Sequence, residues 1–380
     1  MTAATRHQDL LAAFEPTAQD PFDLAKAGHL WRRAGFGGSL AERQAQVEMG
    51  VSKAVDQMFA EGPGEDVDSA FEDALALADI PRVRAYRFWR MLRGRHRLRE
   101  RMSFFWHCHF ATSNQKVKST SMMARQMATF DRLGLGTFDE LLLAVSRDPA
   151  MIRWLDNDTN FKGRPNENYA RELFELFALG RGNYTEQDIK EAARAFTGWH
   201  LRGESFRFLQ GAHDKGDKEV FGKRGRFGGE DIVAMTVRRE ASARFIARKL
   251  LAFFVHPEPT DAEITALAAL YQQQQRHLGK TLNVLLRSRV FFSDRAYRSR
   301  IKSPVDLAVS LVRSLDAGAA PLPLANAAGR MGQVLLEPPT VEGWHPERAW
   351  VSSATWILRG NFASRLFGGG FKLRPSVDGL

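Results

Sequence analysis

Apolar residues recur at helical spacing through most of the chain. Ser39 stands before a run in which Val47, Val51, Val55 and Phe59 share one face, the pattern of a capped amphipathic helix. Before it, His29, Leu30 and Trp31 fall in a short helix that ends in the turn of Gly35, Gly37 and Gly38. Residues 122–145 are helical and apolar, with interruptions at Gly134 and Gly136. Thr185, with Asp188 three residues on, is a capping box for a helix whose apolar face is Ile189, Ala192, Ala193, Phe196 and Trp199. Helices return over 231–254, with Arg244, Arg248 and Lys249 on a polar face and His256-Pro257 as the stop. Residues 261–318 read as three further helices divided at Gly279 and at Ser303-Pro304, and Trp350, Trp356, Arg359 and Phe362 belong to a closing helix.

Period-two alternation is confined to 203–229, where Phe206, Phe208 and turn signals at 214–217 predict a small hairpin. Gly62-Pro63-Gly64 breaks the second helix, and the acidic stretch at 65–73 reads as solvated. No repeat and no clean linker divides the chain. The expected fold is all-α: an orthogonal multi-helix single domain over 1–380, with a hairpin or loop insertion at 203–229 and a loose tail at 368–380.

The segment 151–201 breaks this regularity. Asp156, Asn157, Asp158, Thr159 and Asn160 are too polar to continue a buried helix, and Gly163 and Pro165 punctuate the loop. Asn166 is a candidate cap for the helix that follows. On that helix Asn168, Glu172, Glu175 and Leu179 form a narrow stripe edged by Arg171, and Tyr169, Leu173, Phe174, Leu176 and Phe177 cover the rest. Such a wide apolar arc predicts burial on most sides and places Glu172 and Glu175 against a cavity as a general acid/base or metal-binding pair. Asp156, Asp158, Asn160 and Glu167 occupy the first, third, fifth and twelfth places of a calcium loop, but Phe161 stands where that loop needs glycine. Asx turns and caps are the alternative account of the same residues. His200 follows Trp199 where the chain leaves the next helix, beside the carboxylates.

Charge and chemistry narrow the classes. The net charge is +10, so an anionic ligand or substrate is the expected partner. One cysteine, Cys108, excludes an internal disulfide framework and cysteine-based zinc sites. No apolar segment reaches membrane-span length and the N-terminus lacks the core of a signal peptide, which makes the expected location cytoplasmic. Residues 81–113 are the most basic part, with Arg84, Arg87 and Arg90 interleaved with Tyr86, Phe88 and Trp89; this reads either as snorkelling arginines around an apolar stripe or as a polyanion track. His107 and His109 would chelate together on a strand, but on a helix they lie about 200° apart. The spacing of Met102, Phe105, Trp106 and His109 favours the helix, and His109 as the histidine nearer the carboxylates. Glu337 to Trp344, rich in Pro and Gly, reads as a rigid wall or lid.

The pieces HLWRRAGFG, FWHCHFATS, DNDTNFKGRPNENYARELFELFALG, YTEQDIKEAARAFTGW, FGKRGRFGGEDIV and MGQVLLEPPTVEGW occur in this order. On them the chain resembles the bacterial domain-of-unknown-function family 1800 (DUF1800) over nearly its whole length. Many relatives have an asparagine where Cys108 stands between the two histidines. The resemblance implies no mechanism. It does imply a shared pathway with a neighbouring gene product similar to the alkaline-phosphatase and sulfatase group, and so a candidate protein partner.

Three functions remain open. The first is a metal- or carboxylate-dependent hydrolase of an anionic substrate. Its catalytic candidates are Glu172, Glu175, His109 and His200, and Asp156, Asp158 and His107 are candidate ligands for a divalent metal ion. Asn168, Arg171, Trp199, Trp344, Arg87 and Arg90 are its candidate ligand-binding residues. The second is a helical scaffold for a protein or polyanion, and the third is charge-driven nucleic-acid binding.

Overall fold

Side-chain caps set the helix boundaries. The computed structural model describes residues 10–60, 75, 77–344 and 347–368. The acidic stretch 65–73 and the tail from 369 lie outside the described residues. Asp23 caps α1 (Leu24–Ala34), and the Ser39/Glu42 box opens α2 (Leu40–Phe59). Asp79 caps α3 (Ile80–Arg93), and after a break at Gly94 comes α4 (Arg97–His109). The basic segment is therefore two helices. The short α5 (Asn114–Val117), α6 (Thr120–Leu133), α7 (Phe138–Ser146) and α8 (Pro149–Trp154) follow, the last capped by Asp148.

The carboxylate helix begins as α9 (Asn168–Glu172) and then widens into a π-helix over Leu173–Ala178. Asn166 accepts the Asn168 N–H at 3.0 Å and so does the work of a cap one residue outside Glu167. Next come α10 (Glu186–Ala195), α11 (Gly229–Val237), α12 (Glu240–Phe254), α13 (Asp261–Gln273), α14 (Leu278–Leu285), α15 (Pro304–Ser314), α16 (Pro321–Arg330) and α17 (Ser353–Phe367). The result is mainly helical, with two small hairpins as its only sheets among the described residues.

The insertion differs from the sequence expectation. Strand β1 (Trp199–Arg202) pairs with β2 (Ser205–Phe208), and β3 (Lys218–Val220) pairs with β4 (Lys223–Gly225). Neither turn lies at 214–217. Trp199 belongs to β1 and not to the preceding helix, because Gly198 takes a left-handed φ of 85° and turns the chain out after α10. A side chain there would also meet the Leu209 carbonyl at 2.8 Å.

Helix α4 is the axis of the molecule. It packs on α1, α2, α3 and α6, and almost all of its residues are buried, as a helix surrounded on all sides must be. Its last turn carries His107, Cys108 and His109. The π-helix packs on α11 and α12, and this brings the carboxylate segment to the same end of α4.

Candidate active site

The Asx loop folds on itself. Asn160 Nδ2 donates to the Ala193 carbonyl at 2.9 Å and to Asn157 Oδ1 at 3.2 Å, and its Oδ1 accepts the Asn166 N–H at 3.0 Å. Asn157 donates to the Trp199 carbonyl at 3.1 Å, and Asn168 donates to the Leu155 carbonyl at 3.0 Å. Of the oxygen atoms that a calcium loop would aim inward, that of Asn160 is spent on a turn and that of Glu167 on Arg171. Asp156, in a left-handed conformation, pairs with Lys116 at 2.7 Å. Among the described residues no three His, Cys, Asp or Glu side chains are placed to share a metal ion. The structure does not bring Asp156, Asp158 and His107 together.

His200 points the same lesson. It is buried on β1 against the Phe161 ring, 4.5 Å between centroids, with Nε2 lacking a partner. Its charged neighbour is Asp158, whose carboxyl is raised by burial and then by Asp156. Neither residue lines the cleft described below. Trp199 is a core residue packed edge-on to Phe196 and Phe206. Arg171 is committed to Glu167 at 3.1 Å and Glu186 at 2.8 Å.

The arginine helix requires a correction. Arg87 and Arg90 are buried and serve no surface ligand. Arg87 forms a two-pronged pair with Asp131 at 2.6 and 3.0 Å and reaches Glu100 at 3.2 Å; Arg90 holds Glu100 at 2.7 Å. Arg84 bonds the Leu335 carbonyl at 2.7 Å and pairs with Glu337. Arg87 and Arg90 thus face carboxylates from α4 and α6, and Arg84 one from the Pro/Gly/Trp segment, so these three arginines are held by the protein itself.

A cleft of about 310 Å³ opens where α4, the π-helix and α12 meet. His109 and Cys108 line it from α4, Glu175 and Leu176 from the π-helix, and Lys249 from α12. Arg181, Val341, Glu342 and Trp344 complete it. Of the residues singled out in the sequence, the structure therefore brings together Glu175, His109 and Trp344, with Glu172 half-buried at the edge, close enough to feel Glu175 and Glu342. Lys249, Arg181 and Glu342 were not singled out as site residues. The signal for Lys249 was its place on the polar face of α12, and for Glu342 its place in the Pro/Gly/Trp segment. That segment does form a wall. Gly343, at φ 84°, rests on α4 so closely that a Cβ would lie 2.9 Å from the Cys108 carbonyl, and this approach carries Glu342 and Trp344 to the cleft. His345 and Pro346 lie outside the described residues.

Each polar group in the cleft has a definable state. Glu175 accepts from Arg181 Nε at 2.5 Å and from the Tyr184 hydroxyl at 3.0 Å, which fixes the carboxylate in place. Burial raises the Glu172 carboxyl, and the Glu175 charge adds to the rise. Lys249 is open to the cleft with protein around it. Burial lowers its ammonium, the Glu342 carboxylate opposes this, and its nitrogen lies 5.3 Å from the Phe245 ring centre. His109 is held neutral, pushed down to about 3 by burial and the nearby Lys249; its Nε2–H donates to the Phe177 carbonyl at 3.0 Å. That carbonyl is one of those orphaned where the π-helix ends. His107 is likewise neutral: its Nε2 accepts the Leu336 N–H at 2.9 Å and its ring packs edge-on to Trp344. Burial pushes the Cys108 thiol up to about 12, which leaves it protonated and a poor nucleophile.

The π-helix matters to this geometry. The Leu179 N–H bonds the Phe174 carbonyl, five residues back, at 2.9 Å. Such wide turns occur often at functional sites because they re-aim side chains that a regular helix would hold elsewhere.

Comparison with known proteins supplies ancestry but no activity. No curated protein and no solved structure matches the chain. A family profile described as "Protein of unknown function (DUF1800)" matches residues 29–378, nearly the whole sequence, and the chain belongs to that family.

Proposed function

We propose that the chain is a carboxylate-dependent hydrolase whose substrate carries an acidic group. One observation carries the reading. Two carboxylates, Glu175 and Glu342, line one concave site with a lysine that no carboxylate of the described residues holds by a direct ion pair, and a third, Glu172, lies beside it, close enough to feel both. Glu172 keeps its proton to higher pH than an ordinary carboxyl does, as a general acid requires. Glu175, positioned by Arg181 and Tyr184, is the partner that takes a proton from the attacking water. Lys249 meets the acidic group of the substrate, and Trp344 supplies an apolar wall. The reading rests on proton transfer by Glu172 and Glu175.

The test is a turnover screen with chromogenic esters, phosphoesters and glycosides, each with and without a carboxylate or sulfate substituent. Glu172→Gln should lower kcat about 10²–10⁴-fold on the class that is turned over. Lys249→Met should act mainly on KM, and only for the acidic substrates. The proposal fails if no class is hydrolysed, or if Glu172→Gln hydrolyses it as fast as the unaltered chain.

A further inference from the structure

We infer that a second cavity, walled by α1, α4 and the segment before α15, is a binding site for a small tetrahedral oxyanion, a phosphate or sulfate group. The inference is independent of the cleft chemistry. The cavity holds about 140 Å³, and six cations line it: Arg32, Arg33, Arg101, Arg298, Arg300 and Lys302. At ~30 Å³ per water this is room for roughly five waters, ample for one such group.

The charges do not balance. Asp306 is the only carboxylate of the lining, and Arg101 takes it in a direct ion pair. Arg300 pairs with Glu347 at 3.0 Å. The other four cations form no direct ion pair with a carboxylate among the described residues. Arg33 donates to the Ala296 carbonyl at 3.0 Å and Ser299 Oγ at 3.1 Å, and Lys302 donates to Ser310 Oγ at 2.5 Å. Arg32 has a buried terminal nitrogen with no hydrogen-bond partner and lies over the Tyr297 ring. Arg298, exposed and also over the Tyr297 ring, is held in a left-handed backbone conformation at φ 53°. That conformation is unfavourable for a residue with a side chain.

Folding thus gathers four like charges that it does not pair, two of them on one aromatic ring. Burial and mutual repulsion oppose this: Arg33 is pushed down to about 9 by burial and then by Arg300 and Arg101, and Lys302 is lowered by burial. A doubly charged oxyanion relieves the repulsion and gives the free guanidinium N–H groups an acceptor with matching geometry.

Titration calorimetry of the full chain with inorganic phosphate, sulfate and glycerol 3-phosphate, at ionic strength matched with chloride, tests the site. The expected result is saturable one-to-one binding, weakened about ten-fold or more in Arg298→Gln and in Lys302→Met and unchanged in the exposed Arg226→Gln. Stronger binding of glycerol 3-phosphate than of phosphate would assign the site to the phosphoryl end of a metabolite; the reverse order would assign it to the free ion. The unliganded variants should also melt at a higher temperature than the unaltered chain, since each removes an unpaired like charge. A merely structural role for these cations predicts the opposite shift. Equal binding by all variants, or no binding beyond the chloride control, overturns the inference.

Discussion

Two groups of buried arginines, both touching α4, have opposite fates. Around Arg87 and Arg90, every cation meets a carboxylate: Glu100 and Asp131 close a compact network, and Ser103 adds a hydroxyl to Asp131. Around Arg33 and Arg101 the cations outnumber the carboxylates and enclose open space. A charge paired and packed is structure; a charge unpaired beside a cavity is a site waiting for a ligand. The cleft follows the second pattern, because Lys249 and Glu172 are left unpaired while Glu175 is fixed by its two donors. In the sequence these arginines look alike.

The largest effect that would break this comparison lies in the balanced network. Arg87→Met leaves two buried carboxylates, Asp131 and Glu100, to share the single cation Arg90, and should cost about 3–5 kcal/mol in urea unfolding. A loss under about 1 kcal/mol, the range of an exposed pair, would show that the network is solvated and that the contrast is not real.

A smaller effect sharpens it from the opposite charge. Asp148 is a buried carboxyl with no cation near it; burial pushes it up to about 7, against the hydrogen bonds from Met151 N–H and Gln126. Its folded value lies above its unfolded value, so the folded chain binds the extra proton. The stability that this proton contributes is fully present below about pH 4 and is lost as pH rises through about 7. Asp148→Asn removes that dependence. Above pH 7 the variant should be more stable than the unaltered chain by roughly 1–3 kcal/mol, less than the full linkage of three units because the new amide meets the Ala150 N–H. A difference between the two chains that does not change from pH 4 to pH 8 would contradict this.

What was legible in the sequence was local. The Ser39 cap, the Thr185/Asp188 box and the Ser303-Pro304 start all appear where their spacing put them. The wide apolar arc of 168–179 matches the burial of Tyr169, Leu173, Phe174 and Phe177, and Glu175 and His109 line one cleft, but Glu172 and the Asx loop do not line it. The illegible part was non-local or conformational. Asp131 lies 44 residues from Arg87, and Asp306 lies 205 from Arg101, so nothing near either arginine announces its partner. The π-helix has no signature in apolar spacing, yet it is the segment that carries Glu175. The Asx loop misled for a physical reason: a capped turn and a calcium loop draw on the same oxygens, and only the direction of those oxygens separates them.

The central claim is that a carboxyl beside the cleft, Glu172, is tuned by burial and by a like charge. Carbon-detected NMR titration of the Glu172 side chain reads this directly and needs no substrate. The account predicts a Glu172 pKa above the ordinary ~4.3 in the unaltered chain, and a lower one in Glu175→Gln, where the neighbouring charge is gone. An ordinary value in both chains would contradict it.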